Sequence, residues 1–414
     1  MTGRAAGPGT SVAPLVLLEV AAVLSTWANA VLTLALSWLA LERTGSPVAA
    51  GIIAAASTLP MLLGALFAGT VVDLVGGRRT AAGADLLSAG SVAAIAVLDL
   101  AGGFSLWAVA ALACTGSLFD LAGMTGRKVL LPAAAGRAGL RLEAVNGIHE
   151  SLKGVALVAG PALGGLLIGL GGAATALAVA VVAPALAAAG TLLVRLPEQG
   201  RPKVAGSALR FAWHGSRQGF AAVWRDPLLR LTALMGATLY LAYLPIASIV
   251  LPAYFHAQHA PERLGLLSMT LAAGGIGGAV GYAVLGHRLR GRATFVTAMV
   301  ASAAGLVAMS FLPPYPALLA LAGVVGLASG PISPLTNLAT QLRSAPELRG
   351  RVMGIMTSAG YVGGPVGHLL GGPLVQRLGP EGAFAVLAGV LFLLVLGASW
   401  LPALRGFDRL SATA

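Results

Sequence analysis

Charge is scarce in this chain, and negative charge most of all. Of 414 residues only 10% are charged, and just 14 are acidic, whereas soluble domains carry about a quarter charged residues. That excludes an ordinary water-soluble globular domain. Cysteine is almost absent as well. The single Cys114 lies inside an apolar run, which rules out a disulfide framework or a thiolate metal cluster within the chain. No His, Cys, Asp or Glu set has metal-ligand spacing, no glycine-rich loop has the form that cradles phosphate, and no nucleophile stands beside a base. No catalytic residue, metal or cofactor is therefore expected. The formal charge of +12 would fit nucleic acid if the basic residues formed a patch on a soluble domain. Here they fall between hydrophobic runs, so no nucleic-acid partner is expected.

What the sequence has is hydrophobic length, with 57% of positions apolar. A bilayer core needs roughly 20 apolar residues per helix. Such runs occur at 14–40, 47–72, 80–100, 104–126, 145–170, 173–195, 228–254, 263–287, 293–312, 315–341, 352–377 and 381–403. They are continuously apolar, whereas barrel strands alternate over about ten residues. The expectation is an all-α membrane protein with twelve transmembrane helices. The first run is too long for a signal-peptide core and is read as a retained span.

Of the 26 Lys and Arg residues, 23 fall on one side of this topology and only Arg43, Arg263 and Arg377 on the other. By the positive-inside rule both termini should be cytoplasmic, in a cell inner membrane. The longest break between spans divides the chain into a six-helix bundle at 1–196, a cytoplasmic linker at 197–227 and a second six-helix bundle at 228–414. In the linker Leu209, Trp213, Phe220 and Trp224 recur at helical spacing beside Arg210, Arg217 and Arg225. Either an amphipathic helix on anionic headgroups or a solvated linker fits this pattern.

The loop after the second span reads Gly69-Thr-Val-Val-Asp73-Leu-Val-Gly76-Gly77-Arg78-Arg79. Its glycines allow a tight turn, and its Asp can accept from a helix N-terminus or an Arg. With this motif the chain resembles the major facilitator superfamily, in which the segment forms a cytoplasmic latch. Leu74 and Gly77 depart from that pattern. The fifth span contains Gly160-Pro161-Ala162-Leu163-Gly164-Gly165, similar to the core of the family's antiporter motif. The resemblance implies antiport, with tight small-residue packing without antiport as the alternative. Gly364-Pro365-Val366-Gly367-His368 recurs at the equivalent place in span eleven, as two related six-helix halves require. Four shorter segments resemble the bacterial efflux branch that includes enterobactin exporters and multidrug transporters: Leu41 to Pro47, Asp120 to Pro132, Trp224 to Arg230 and Arg349 to Val352.

Ionisable groups in lipid are costly and are functional candidates by default. Glu19, five residues into the first span, is a candidate for proton coupling or for binding a cation; a shorter span would leave it at the headgroups. His368 stands alone in its run, as a proton carrier or as hydrogen-bonded packing. Asp120 is placed near the cytoplasmic end of span four with Arg127 seven residues on. The resemblance implies that it joins the latch, so an inner-gate network of Asp73, Arg78 or Arg79, Asp120 and Arg127 is expected, with Asp120 a third coupling candidate. Asp85, Glu143, Glu150 and Lys153 are read as structural groups near the interface. Trp27, Asn29, Tyr240, Tyr243, Asn337, Gln341 and Tyr361 lie deep in spans that line the cavity in this superfamily. Together they describe a largely apolar cavity suited to small amphipathic organic molecules. A monomeric proton-coupled exporter is the leading expectation. An uncoupled facilitator or importer of the same fold is the alternative, with a membrane enzyme or sensor far behind.

Overall fold

A computed structural model describes residues 11–196, 208–345 and 348–410. The described chain is helical throughout, from α1 (Ala13–Thr44), α2 (Pro47–Val75), α3 (Gly77–Leu100), α4 (Leu106–Ser117) and α5 (Asp120–Ala138) to α6 (Leu142–Leu193). After α7 (Ala208–Arg225) follow α8 (Pro227–Pro245), a π turn, α9 (Leu251–Ala257), α10 (Pro261–Leu285) and α11 (Gly291–Ser310). The last elements are α12 (Tyr315–Ser329), α13 (Ile332–Arg343), α14 (Arg349–Ser399) and the short α15 (Gly406–Leu410).

Among the described residues nine helical stretches are long and apolar enough to cross a bilayer. Two of them, Ala144–Leu193 and Arg351–Ser399, run for 50 and 49 residues. At 1.5 Å per residue each is about 75 Å long, more than twice the roughly 30 Å hydrocarbon core. Each leaves helical geometry at a glycine with positive φ, Gly172 at +69° and Gly379 at +72°. Packing shows that α6 doubles back there. On its first arm His149 meets Glu19 and Gly164 faces Val31, so this arm runs alongside α1 in the same direction; on its second arm Gly190 faces Leu17 and Ala21, back at the start of α1. Splitting these two stretches and adding α2 gives twelve crossings.

The same arrangement recurs later in the chain, where the first arm of α14 runs along α8 with Gly360 beside Tyr240 and Gly371 beside Pro245. The helices α1–α6 and α8–α14 meet along two seams. At one, a Cβ on Gly372 of α14 would stand 2.8 Å from the Val48 Cα of α2; at the other, a Cβ on Gly165 of α6 would stand 2.9 Å from the Gly265 Cα of α10. Only glycine permits this approach. Both contacts lie at the face opposite the start of α1. The face where α1 starts, tied to the end of α5 by the Ser11 N–H to the Arg137 carbonyl at 2.9 Å, carries most of the basic residues and is the basic face.

Three expectations change in detail. Span four is longer than the expected 104–126, because α5 continues the crossing to Ala138 after a break at Leu118 and Phe119. Arg127 and Lys128, expected just past the end of that span, are helical within α5. The tenth span is likewise interrupted, at Gly330 and Pro331. Finally, α7 is a helix, with Gly219 and Val223 packed on α14 and α8 while Phe220 and Trp224 stack at 5.4 Å and face outward. Arg4, Arg201 and Lys203 lie outside the described residues, as do the side chains of Leu209, Arg210 and Trp213.

Candidate functional site

Small residues bring α3 and α5 together. Gly123 and Gly126 of α5 sit against Ala84, Ala81 and Gly77 of α3, leaving no room for a Cβ. This places Arg127 directly opposite Asp85. Both are buried, and the guanidinium Nη2 donates to Asp85 Oδ2 while Ser25 of α1 donates to Oδ1 at 2.8 Å. Asp85 is thus an interior ion-pair partner, not the interfacial group the sequence suggested.

The expected four-membered inner-gate network does not form. Asp120 begins α5, and Arg127 lies seven residues further on, about 10 Å along the axis, so the two cannot touch. Asp73 is exposed, with no hydrogen bond or ion pair among the described residues. Arg78 donates to the Val194 carbonyl at 3.1 Å, and Arg79 is exposed. Gly69 lies near the end of α2, and Gly76, with φ of +93°, makes the turn into α3. Asp120 lies mid-crossing, not at the end of span four.

Glu19 is buried and accepts no lone-residue role, because its Oε2 lies 3.0 Å from Nδ1 of His149, itself buried. Its other oxygen has no partner. Sequence reasoning passed over His149. The available signal was that a lone acid near the start of span one needs a partner, and His149 enters span five from the same face. Because a buried polar group left unmatched costs about 1–3 kcal/mol, His149→Leu should lower the thermal midpoint of the purified protein, and His149→Gln, which keeps a donor, should lower it less. Identical melting of all three proteins would show that the pair carries no stability.

At the opposite face Arg43 grips the buried Asp99 with two bonds, Nε at 2.5 Å and Nη2 at 2.8 Å, tying the ends of α1 and α3. Lys128 and Lys153 both reach Glu150, at 2.7 and 3.5 Å. Among the described residues no cluster of His, Cys, Asp and Glu could hold a metal.

Two of the chambers among the described helices hold candidate residues. The larger, about 440 Å³, lies within α8–α14 toward the basic face. Tyr240, Tyr243, Asn337 and Tyr361 all line it, with Met235, Met299, Met353, Met356 and Phe295. Tyr240 and Tyr361 stand 5.9 Å apart, ring to ring. Among the described residues its lining has no charged side chain. Thioether and aromatic walls adapt to irregular apolar shapes. The remaining cavity candidates lie elsewhere. Trp27 packs beside Gly160 with its indole N–H buried and unmatched, and Gln341 is exposed near the basic-face end of α13.

The smaller chamber, about 100 Å³, lies between α1–α5 and is closed by Ser248 and His368 from the other half. Asn29, Asp120 and His368 meet here. His368 is buried and its Nδ1 lies 3.3 Å from the Thr58 hydroxyl.

The Gly-Pro segment of α6 serves two neighbours at once. Gly160 and Gly164 face Ala30 and Val31 of α1, whereas the Pro161 carbonyl and Gly165 face Gly265 of α10. The alternation lets α6 pack closely between one half and the other.

The sequence pattern of the Major Facilitator Superfamily matches residues 18–290 and 248–412. The chain is 38% identical over 398 residues to the multidrug efflux pump Tap of Mycobacterium tuberculosis, covering 95% of both chains. It is 38% identical over 402 residues to the Tap pump of Mycolicibacterium fortuitum, covering 96% of this chain and 98% of that one. Its fold matches the crystal structure of the nucleoside transporter NupG with a TM-score of 0.70 at 13% identity, over 93% of this chain and 98% of that one. The human organic anion transporter MFSD10 (TETRAN) matches with a TM-score of 0.64 at 18% identity, over 94% and 99%. The glycine-lined seams, the repeated helix pairing and these likenesses agree: the chain belongs to the major facilitator superfamily, as a multi-pass membrane transporter and not an enzyme.

Proposed function

We propose that this transporter exports small amphipathic organic molecules from the cytoplasm in exchange for protons, with the halves 1–196 and 228–414 rocking about the cavity between and within them. The observation that carries this reading is the larger chamber: roomy, uncharged, and walled by Tyr, Phe and Met. Such a lining suits ligands recognised by shape and apolar area, with Asn337 and the tyrosine hydroxyls setting orientation. The multidrug efflux function named for the Tap relatives supports the same cargo class. The excess of Lys and Arg on the basic face supports a cytoplasmic position for that face and both chain ends. The Gly69–Arg79 loop then lies at the inner gate, the Asp85–Arg127 pair holds α3 to α5 within the first half, and the seams at Gly165 and Gly372 close the outer side.

In inverted vesicles, a fluorescent cationic dye should be concentrated inside when the interior is acid, and a proton uncoupler should stop its uptake. Tyr243→Ala should weaken dye uptake and alter the ranking of dyes, since it removes one wall of the chamber. Dye movement that follows its own gradient and ignores the uncoupler would establish an uncoupled facilitator instead.

A further inference from the structure

Inside the described helices the acidic side chains are either partnered or, like Asp73, Glu262 and Glu381, exposed. Glu19 has His149, Asp85 has Arg127 and Ser25, Asp99 has Arg43, and Glu42 accepts from the Trp38 indole at 2.7 Å. Asp120 is the exception. Mid-crossing, it has no hydrogen bond or ion pair among the described residues, and it faces the smaller chamber.

Hydroxyls make up most of the polar wall of that chamber. The hydroxyl hydrogens of Thr33, Ser37, Ser57, Ser117 and Ser248 are already donated to backbone carbonyls one turn back, at 2.8 to 3.1 Å. Only their acceptor lone pairs remain. Thr58 also lies 3.0 Å from the Ala54 carbonyl, and its hydroxyl is 3.3 Å from Nδ1 of His368. Nε2 of His368 is buried without a hydrogen-bond partner among the described residues. The hydroxyls of Ser88 and Ser91 line it as well, so the wall offers both donors and acceptors around Asp120 and His368. At roughly 10–15 Å³ of such volume per water, a chamber of about 100 Å³ has room for several waters.

We propose that Asp120 and His368 form a proton site shared by the two halves of the transporter, with the exchanged proton carried across the membrane in this chamber. The proposal rests on the exchange reading above. Asp120 belongs to one half, and His368 and Ser248 to the other, at the seam where Gly51 of α2 abuts the His368 carbonyl. Parting α2 from α14 at the outer face opens the chamber to the outside, where Asp120 or His368 takes up a proton. Closing the seam over an empty chamber would bury a bare carboxylate, which is costly, whereas closing it over a protonated one is not. The proton thereby licenses return of the halves to the conformer seen here. The other charged groups acting on Asp120 are Arg127 on its own helix and Asp85 of α3, and the Leu244 carbonyl of α8 lies beside His368. Among the described residues no further charged side chain lines the chamber.

The test measures proton release from purified protein in weakly buffered detergent solution when a cationic dye is added, with dye binding followed separately by fluorescence. Wild-type protein should release protons as dye binds. Asp120→Asn should reduce that release about tenfold, and His368→Gln should shift its dependence on pH. Dye binding should persist, since the two chambers share no lining residue. Asp120→Glu should restore release. If wild-type protein releases no proton, the exchange reading itself falls. If it does, and both Asp120→Asn and His368→Gln release protons with the wild-type pH profile, the exchange stands and this site is wrong. Uphill dye transport driven by a sodium gradient at equal pH would also overturn it. Should Asp120→Asn fail to fold, the pH profile of His368→Gln decides alone.

Discussion

Arg127→Leu is expected to be the most destabilising single substitution in the first half of the protein. It leaves Asp85 buried with only the Ser25 hydroxyl to answer its charge. Removing one partner of a buried ion pair costs about 3–5 kcal/mol, because the remaining charge has no water to return to. That is a large share of the stability of an ordinary domain. The variant should accumulate poorly in membranes and melt well below the parent after purification. Adding Asp85→Asn to it should recover much of the loss, since a neutral amide needs no countercharge. If Arg127→Leu alone melts like the parent, the pair does not hold α3 to α5, and the glycine contacts between them suffice.

Gly165→Leu should abolish transport while leaving the protein in the membrane. A side chain there runs into the Gly265 backbone and the Pro261 carbonyl of α10, and close-packed interiors do not give way by an ångström without cost. In the orientation proposed above, this seam would be held open on the outer side, favouring the outward-facing conformer. Dye efflux should fall by about tenfold or more. In a background lacking Cys114, a cysteine at Ser57 in the smaller chamber should react faster with an impermeant thiol reagent applied from outside. Normal efflux by Gly165→Leu would mean that the seam does not need to close. Gly165→Ala is the graded control, with a smaller loss expected.

The twelve crossings were readable because lipid imposes a crude requirement, a length of apolar residues, that composition alone can meet. The two long stretches illustrate this: Gly172 and Gly379 sit between the runs ending at 170 and 377 and those beginning at 173 and 381. The doubled Gly-Pro segments of spans five and eleven also disclosed the repeat. What sequence could not supply was pairing. Asp120 and Arg127 share a helix and invite one another by spacing, yet the helix holds them a turn too far apart and α3 offers Asp85 instead. Glu19 and His149 are 130 residues apart in sequence, and only the parallel packing of α1 with α6 brings them together. The distribution of cavity residues followed the same limit. Tyr240, Tyr243, Asn337 and Tyr361 converge because they lie on helices of one half, while Asn29 belongs to a different chamber altogether.

The separation of those two chambers has an evolutionary consequence. Cargo would be recognised by residues between 232 and 361, and the driving ion by residues that, apart from Ser248 and His368, precede 121. Substitutions that enlarge or reshape the tyrosine- and methionine-lined wall can accumulate without disturbing the chamber that holds Asp120. A lineage carrying this architecture can therefore change what it expels while keeping its energy source intact, and variation in drug spectrum should gather in the second half of the gene.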